Sequence, residues 1–260
     1  IVILSIIATI FLFPFFFMLI SSFSTSAAIK GNLIFDNLSI INFKNNFIML
    51  TKEKYFFRSL LNSFFVSSVA ALISTFVSSL AGYWYAFYEK KGKTNVFFLL
   101  SFFPILIPTF ITVVPFFMIF NNLNLIDTYF AIIIGSITLS FNIYLFRQSS
   151  KIIPKELIKI ARLDGLTEFK IYLSIYIPCM KPVFITALLL SFLDAWNSIL
   201  IPLVLIQSKE KFTNSIFLNS FGTIWSSDYG TVMVALIVSL FPIFFVFILF
   251  QKYFKSGINM

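Results

Sequence analysis

Six apolar blocks separated by short polar segments set the pattern of this chain. They fall at about residues 1–20, 60–88, 96–120, 129–148, 182–206 and 230–251. Each is near the roughly 20 residues that a helix needs to cross the hydrocarbon core of a bilayer. Between the fourth and fifth blocks lies one polar island, Ile153-Pro-Lys-Glu-Leu-Ile-Lys-Ile-Ala-Arg-Leu-Asp-Gly165, followed by Ile175-Tyr-Ile-Pro178. Pro154 suits the first turn of a helix, where its missing N–H would be unpaired anyway. Glu156 near the start and Arg162 near the end both agree with the helix dipole, and Gly165 is a natural stop. At helical spacing Leu157, Ile160 and Ala161 share one face, and Lys155, Lys159 and Arg162 share another. The pattern predicts an all-α polytopic membrane protein of about six transmembrane helices. It also predicts a short amphipathic helix held outside the membrane, within the loop 149–181, ready to dock on a partner.

Composition narrows the picture. Of 260 residues, 59% are hydrophobic and 11% charged, whereas soluble domains carry about a quarter charged residues. The net charge of +9 does not point to nucleic acid, because the basic residues sit in short loops beside apolar spans. No basic face is interleaved with stacking aromatics. Of the 19 Lys and Arg, 12 fall in 89–95, 147–181 and 252–260 and 7 in the alternate segments 21–58, 121–128 and 207–229. The bias places the loop 149–181 and both termini in the cytoplasm. The first apolar block is read as a span rather than a signal peptide, since no small-residue cleavage site clearly follows it. One cysteine, Cys179, excludes an internal disulfide, and the absence of histidine argues against zinc or copper; neither a metal nor a cofactor is expected.

Candidate chemistry is sparse. The second block is rich in Ser, Ala and Gly, from Ser63 through Gly82, a composition that lets helix backbones approach closely in lipid. Pro104, Pro108 and Pro115 in the third block are expected either to kink the helix or to break it along a transport path. Gly92-Lys93-Thr94 imitates the end of a phosphate-binding loop, but the first glycine of that motif would fall at Phe87, so the chain is not expected to bind ATP. No paired acid and base or nucleophile motif supports an enzyme. Within the fifth block, Asp194 and Asn197 share a helix face beside Trp196. An ionisable residue inside a span is a functional candidate; the alternative is a wet or helix-capping position near a break before Pro202.

The island also carries a resemblance. Ala161, Gly165, Ile175 and Pro178 fall on the frame of the cytoplasmic EAA loop of bacterial ABC-importer permeases, with Lys159 at the Glu position and Ile160 at the first Ala position. Asp164 precedes the frame's glycine. Trp196-Asn197 with Pro202 resembles the Trp-Asn motif of the carbohydrate-type permeases, in which the acid usually stands near the Ser198 position. Arg58-Ser-Leu-Leu-Asn-Ser63, Leu125-Ile-Asp-Thr-Tyr129, Arg147-Gln148 and Gln251-Lys-Tyr-Phe-Lys-Ser-Gly257 extend the likeness over nearly the whole chain. The sequence is similar to the maltose-type, binding-protein-dependent sugar permeases. That resemblance implies one transmembrane domain over 1–260, in a bacterial cytoplasmic membrane. It also implies a second permease, two ATP-binding cassette ATPase subunits and an extracellular solute-binding protein as partners, besides membrane lipid. Glu156, Lys159, Ala161, Asp164, Gly165, Ile175 and Pro178 would form the ATPase-coupling loop, and Asp194, Trp196 and Asn197 the candidate solute path. The competing reading is an ion-coupled secondary transporter with Asp194 as its coupling group, but no inverted internal repeat is visible.

Overall fold

The computed structural model describes residues 2–31, 33–35, 38–88, 93–224 and 228–257, so Gly92 of the false phosphate loop lies outside the described residues. Regular structure among them is helical. The chain begins with α1 (Val2–Ser22), α2 (Ser26–Lys30), α3 (Ile40–Lys52) and the long α4 (Phe56–Phe87). After these come α5 (Lys93–Phe102), α6 (Thr109–Asn122), α7 (Tyr129–Gly135) and α8 (Ser140–Ser149). The polar island forms α9 (Lys155–Leu163). Next are α10 (Glu168–Ile171), a π-helical turn (Tyr172–Tyr176) and α11 (Ile177–Cys179). The chain closes with α12 (Lys181–Asn197), α13 (Leu200–Leu205), α14 (Asn214–Ile224) and α15 (Tyr229–Gly257).

Among the described residues three helices, α1, α4 and α15, are long and apolar enough to cross a membrane unbroken. Three further crossings are bent pairs: Val96–Leu106 with Thr109–Asn122 at 98°, Tyr129–Gly135 with Ser140–Ile152 at 51°, and Glu168–Cys179 with Lys181–Asn197 at 82°. Counted with each bent pair as one span, the described residues give up to six crossings, and half of these are not the continuous helices that the apolar blocks suggest. The first bend follows from proline chemistry. Pro108 has no N–H to donate and holds Ile107 extended at φ −92, ψ 116. Pro115, by contrast, sits inside α6. The fifth block, expected over 182–206, is divided at Ser198-Ile199, where the backbone turns extended before α13.

The chain forms two compact units. One comprises residues 1–63 and 208–245, the other 64–207 and 246–260. In the first, Asn46 of α3 donates to the carbonyls of Ser22 and Ser24 at 3.0 and 3.2 Å, closing the end of α1 where helix carbonyls lack intrahelical partners. Asn62 donates to the carbonyls of Glu210 and Phe212, and Ser63 accepts from the Asn214 N–H at 2.7 Å. The Arg58–Ser63 motif thus ties the start of α4 to the 210–214 segment.

The second unit has an aromatic core. Phe146, Ile153, Ile158, Ala161, Ile171, Tyr172, Tyr176, Met180 and Ala187 pack around Tyr83. Tyr172 and Tyr176, one turn apart, stack at 5.6 Å, and Tyr83 meets both rings edge-on, the offset geometry that aromatic quadrupoles favour. Their hydroxyls do not remain unpaired: Tyr172 shares a 2.6 Å hydrogen bond with Ser79, and Tyr176 a 2.9 Å bond with Ser150. Beside this core α4 passes α8 so closely that a Cβ on Gly82 would lie 2.4 Å from the Phe146 Cβ and 3.1 Å from the Arg147 backbone nitrogen. A second, smaller cluster joins Phe120, Ala131, Ile201 and Leu205. There the Asp127 turn, at φ 60, donates its N–H to the Leu205 carbonyl at 2.8 Å and accepts the Gln207 N–H at 3.1 Å.

Candidate functional site

The amphipathic helix forms where the polar island predicts it. Pro154 is its N-cap, Glu156 lies in the first turn and Arg162 in the last. It ends in a Schellman motif: the Leu166 N–H donates to the Ala161 carbonyl and the Gly165 N–H to the Arg162 carbonyl, both at 3.1 Å. Gly165 supplies the left-handed residue that this motif requires, with φ +81. The apolar face divides differently from the sequence grouping. Ala161 and Ile158 turn inward into the aromatic core, only 5% and 1% exposed. Leu157, Ile160 and Leu163 face outward, Leu163 at 86% exposure. The uncovered apolar face of α9 is therefore Leu157, Ile160 and Leu163, bordered by exposed Glu156, Lys159 and Asp164; Ala161 packs inward. Ile175 and Pro178 lie beyond α10, on the π-turn and on α11, with Ile175 against the same core that holds Ala161.

A polar staple fixes this helix. Arg162 Nε donates to Glu168 Oε1 at 2.7 Å, and the Tyr83 hydroxyl donates to Glu168 Oε2 at 2.7 Å. The Arg162 guanidinium also lies over the Tyr88 ring, 4.7 Å from its centre, a favourable cation–π position. Both Glu168 carboxylate oxygens are thereby paired, one to the guanidinium and one to the phenol hydroxyl. Arg162 thus does more than complement a helix dipole: it joins α9 to α10 and, through Glu168, to the end of α4. The six-residue spacing of Arg162 and Glu168 across a glycine turn was the one sequence signal for it.

The other candidate residues gather at the helix breaks. One cleft, of about 470 Å³, is lined by residues including Pro104, Thr138, Phe141, Asn142, Ser191 and Asp194. A second, of about 460 Å³, includes Pro108, Thr109, Ser136, Asp194, Asn197 and Ser198. Asp194 and Thr138 border both. Three of the breaks in the second unit, before Pro108, at 136–139 and at 198–199, contribute walls, and the bend at Met180 does not. Asp194 and Asn197 project into this space from one face of α12. Trp196 does not: it is buried, its ring stacked on Phe192 at 5.7 Å.

The break at 136–139 carries no proline, and the serines of α4 explain how it is tolerated. Ser74 donates to the Thr138 carbonyl and Ser78 to the Leu139 carbonyl, the groups that an unbroken helix would have satisfied internally. Asn142 then donates to Ser74 Oγ at 3.2 Å and to Ser191 Oγ at 2.6 Å. The hydroxyl-rich stripe read as close helix packing is thus also a set of donors for a discontinuous neighbour. Neither Ser74 nor Asn142 was singled out from the sequence as a site, although an amide inside an apolar block was a usable signal.

Comparisons with known proteins find relatives over nearly the whole chain. The family model described as "Binding-protein-dependent transport system inner membrane component" matches residues 78–260. An arabinooligosaccharides transport system permease protein, AraQ, of Halalkalibacterium halodurans is 34% identical over 98% of this chain and 91% of its own length. The lactose transport system permease protein LacG of Rhizobium radiobacter is 32% identical over 98% of this chain and 92% of its own. Among solved structures, a bacterial ABC transporter involved in the import of the acidic polysaccharide alginate matches with a TM-score of 0.77 and 27% identity, over 97% of this chain and 94% of that one.

Proposed function

The chain belongs to the family of binding-protein-dependent transport system inner membrane components, and on that premise we propose that it forms half of the membrane pathway of an ABC importer for a saccharide. It is a membrane-embedded permease and not an enzyme, working with an ATPase and a solute-binding protein. Residues 1–260 act as one transmembrane domain, beside a second, similar permease and above two copies of the ATPase. The observation that carries the reading is α9: a helix stapled to the body of the protein by Arg162 and Glu168, with Leu157, Ile160 and Leu163 left uncovered on its outer face. Such a face requires a partner. Glu156, Lys159, Asp164 and the Gly165 turn complete the coupling loop, with Ile175 and Pro178 backing it, and Asp194 and Asn197 face the solute path. Carbohydrate as cargo follows from the named relatives, and the hydroxyl and amide lining of both clefts fits it.

The chain co-expressed with its companion subunits and reconstituted in vesicles should take up a neutral oligosaccharide when ATP is supplied on the ATPase side. Uptake should persist when proton and sodium gradients are collapsed. Loss of uptake on collapsing the gradients, with ATP present, would instead establish ion coupling.

The density of Lys and Arg in 147–181 supports a cytoplasmic position for α9 and for both termini. A cysteine placed at Lys209 should react with an impermeant reagent in intact cells, and one at Lys159 should not. Reaction at position 159 reverses the orientation.

A further inference from the structure

We infer that the two clefts meeting at Asp194 take an uncharged, hydroxyl-rich saccharide and reject acidic ones, with Asp194 as the specificity-determining group. The inference rests on the reading of these clefts as the solute path. Its basis is the contrast between Asp194 and the described carboxylates that hold partners; Glu53, Glu156 and Asp164 hold none either, but they line neither cleft. Glu168 is held by Arg162 and Tyr83, Glu210 by the Tyr55 hydroxyl, Asp127 by the Gln207 N–H, and Asp228 by Ser26 and Thr231. Asp194, among the described residues, makes no hydrogen bond and no ion pair, and it lines both clefts.

No Lys or Arg lines either cleft, so the carboxylate stands there without a counter-charge. A carboxylate accepts hydrogen bonds and donates none, which suits the hydroxyls of a sugar and opposes a second carboxylate. Two carboxylates brought together in one cleft repel each other. Two further features fit the same ligand. Ser136 is buried, carries a hydroxyl with no partner and belongs to the lining of the second cleft, a polar group whose desolvation is left uncompensated until something bonds it. Phe141 in the first lining and Phe110 in the second, both largely exposed, supply apolar surface for the C–H groups of a pyranose or furanose. The alginate importer resembles this chain in fold; by this inference the two differ in the charge their paths admit.

The test uses the complete transporter in membranes, with Cys179→Ser to remove the native thiol and Thr138→Cys to place a reporter between the clefts. Rates of reaction with a cationic and an anionic methanethiosulfonate are compared and normalised to a free thiol in solution. The cationic reagent should be favoured about tenfold, the ratio set by roughly 1.4 kcal/mol of field at the thiol. The preference should fall to near unity when Asp194→Asn is added. Arabinotriose, chosen because a relative carries arabinooligosaccharides, should slow labelling; trigalacturonate at equal concentration should do so only in the Asp194→Asn protein. A ratio near one with Asp194 present, equal protection by trigalacturonate, or protection by neither sugar overturns the inference. If thiols at both Thr138→Cys and Ser198→Cys are unreactive to either reagent, the clefts are closed to solutes, and the reading of them as the path fails instead.

Discussion

Gly165→Val should reduce solute uptake by the assembled transporter at least tenfold while leaving insertion and expression of the protein near normal. The reason is conformational rather than steric. A side chain at 165 meets nothing within 4 Å, so there is room for it, but φ +81 is a region that a β-branched residue enters only under strain. That strain costs about 1–3 kcal/mol, enough to pull the Schellman turn apart. Leu166 would then lose its seat against the aromatic core, and α9 would present Leu157, Ile160 and Leu163 at a different angle. Asparagine and aspartate tolerate the left-handed region best among residues with a side chain. Gly165→Asn should therefore be mild and Gly165→Asp intermediate, because it adds a negative charge at a helix C-terminus. Uptake and solute-stimulated ATP hydrolysis, measured across this series in reconstituted vesicles, check the order. Full activity of the valine variant would mean that α9 does not position the ATPase.

Gly82→Leu should have the larger effect on the protein itself. Here the obstacle is atoms: the new Cβ would stand 2.4 Å from the Phe146 Cβ and 3.1 Å from the Arg147 amide nitrogen. A side chain can rotate away, but backbone cannot, so α4 and α8 would have to separate. Overpacking a dense interior costs about 1–3 kcal/mol and more where backbone must shift. The separation would also draw Ser74 and Ser78 away from the carbonyls of the 136–139 break. Little monodisperse complex should be recoverable in mild detergent, and Gly82→Ala should lie between the variant and the parent. Normal yield of Gly82→Leu would show that this crossing is looser than the structure has it.

How far the sequence could be read depends on whether a feature is local. The amphipathic helix α9 was legible almost to the residue, because Pro154, Glu156, Arg162 and Gly165 each act through their own backbone neighbourhood. The proline bend at 107–108 was legible for the same reason, although whether it kinked or broke the span was not. Asp194 was visible as an isolated charge in an apolar block, and the structure places it in the lining of both clefts. The inward turn of Ala161 was missed because helical spacing gives faces without saying which one the body of the protein occupies. The staple was missed because Tyr83 and Glu168 stand 85 residues apart, and nothing in either neighbourhood announces the other. The break at 136–139 was hidden for a related reason: no proline or charge marks it, and the groups that permit it belong to α4. The π-helical turn at 172–176 likewise leaves no mark in residue spacing.

That break has a consequence for the order in which the protein enters its membrane. The two arms on either side, α7 and α8, are 7 and 10 residues long, and neither alone covers the roughly 20 residues of a crossing. A bare carbonyl in lipid is expensive, so the pair is costly to deliver into the bilayer unless Ser74 and Ser78 already stand there to receive Thr138 and Leu139. Synthesis from the N-terminus meets that demand, because α4 leaves the ribosome some fifty residues ahead of the break. The receiving hydroxyls are in position before the segment that needs them is made. A permuted gene that translated α7 and α8 before α4 would present the same residues, with the same final contacts available, in an order that the bilayer penalises.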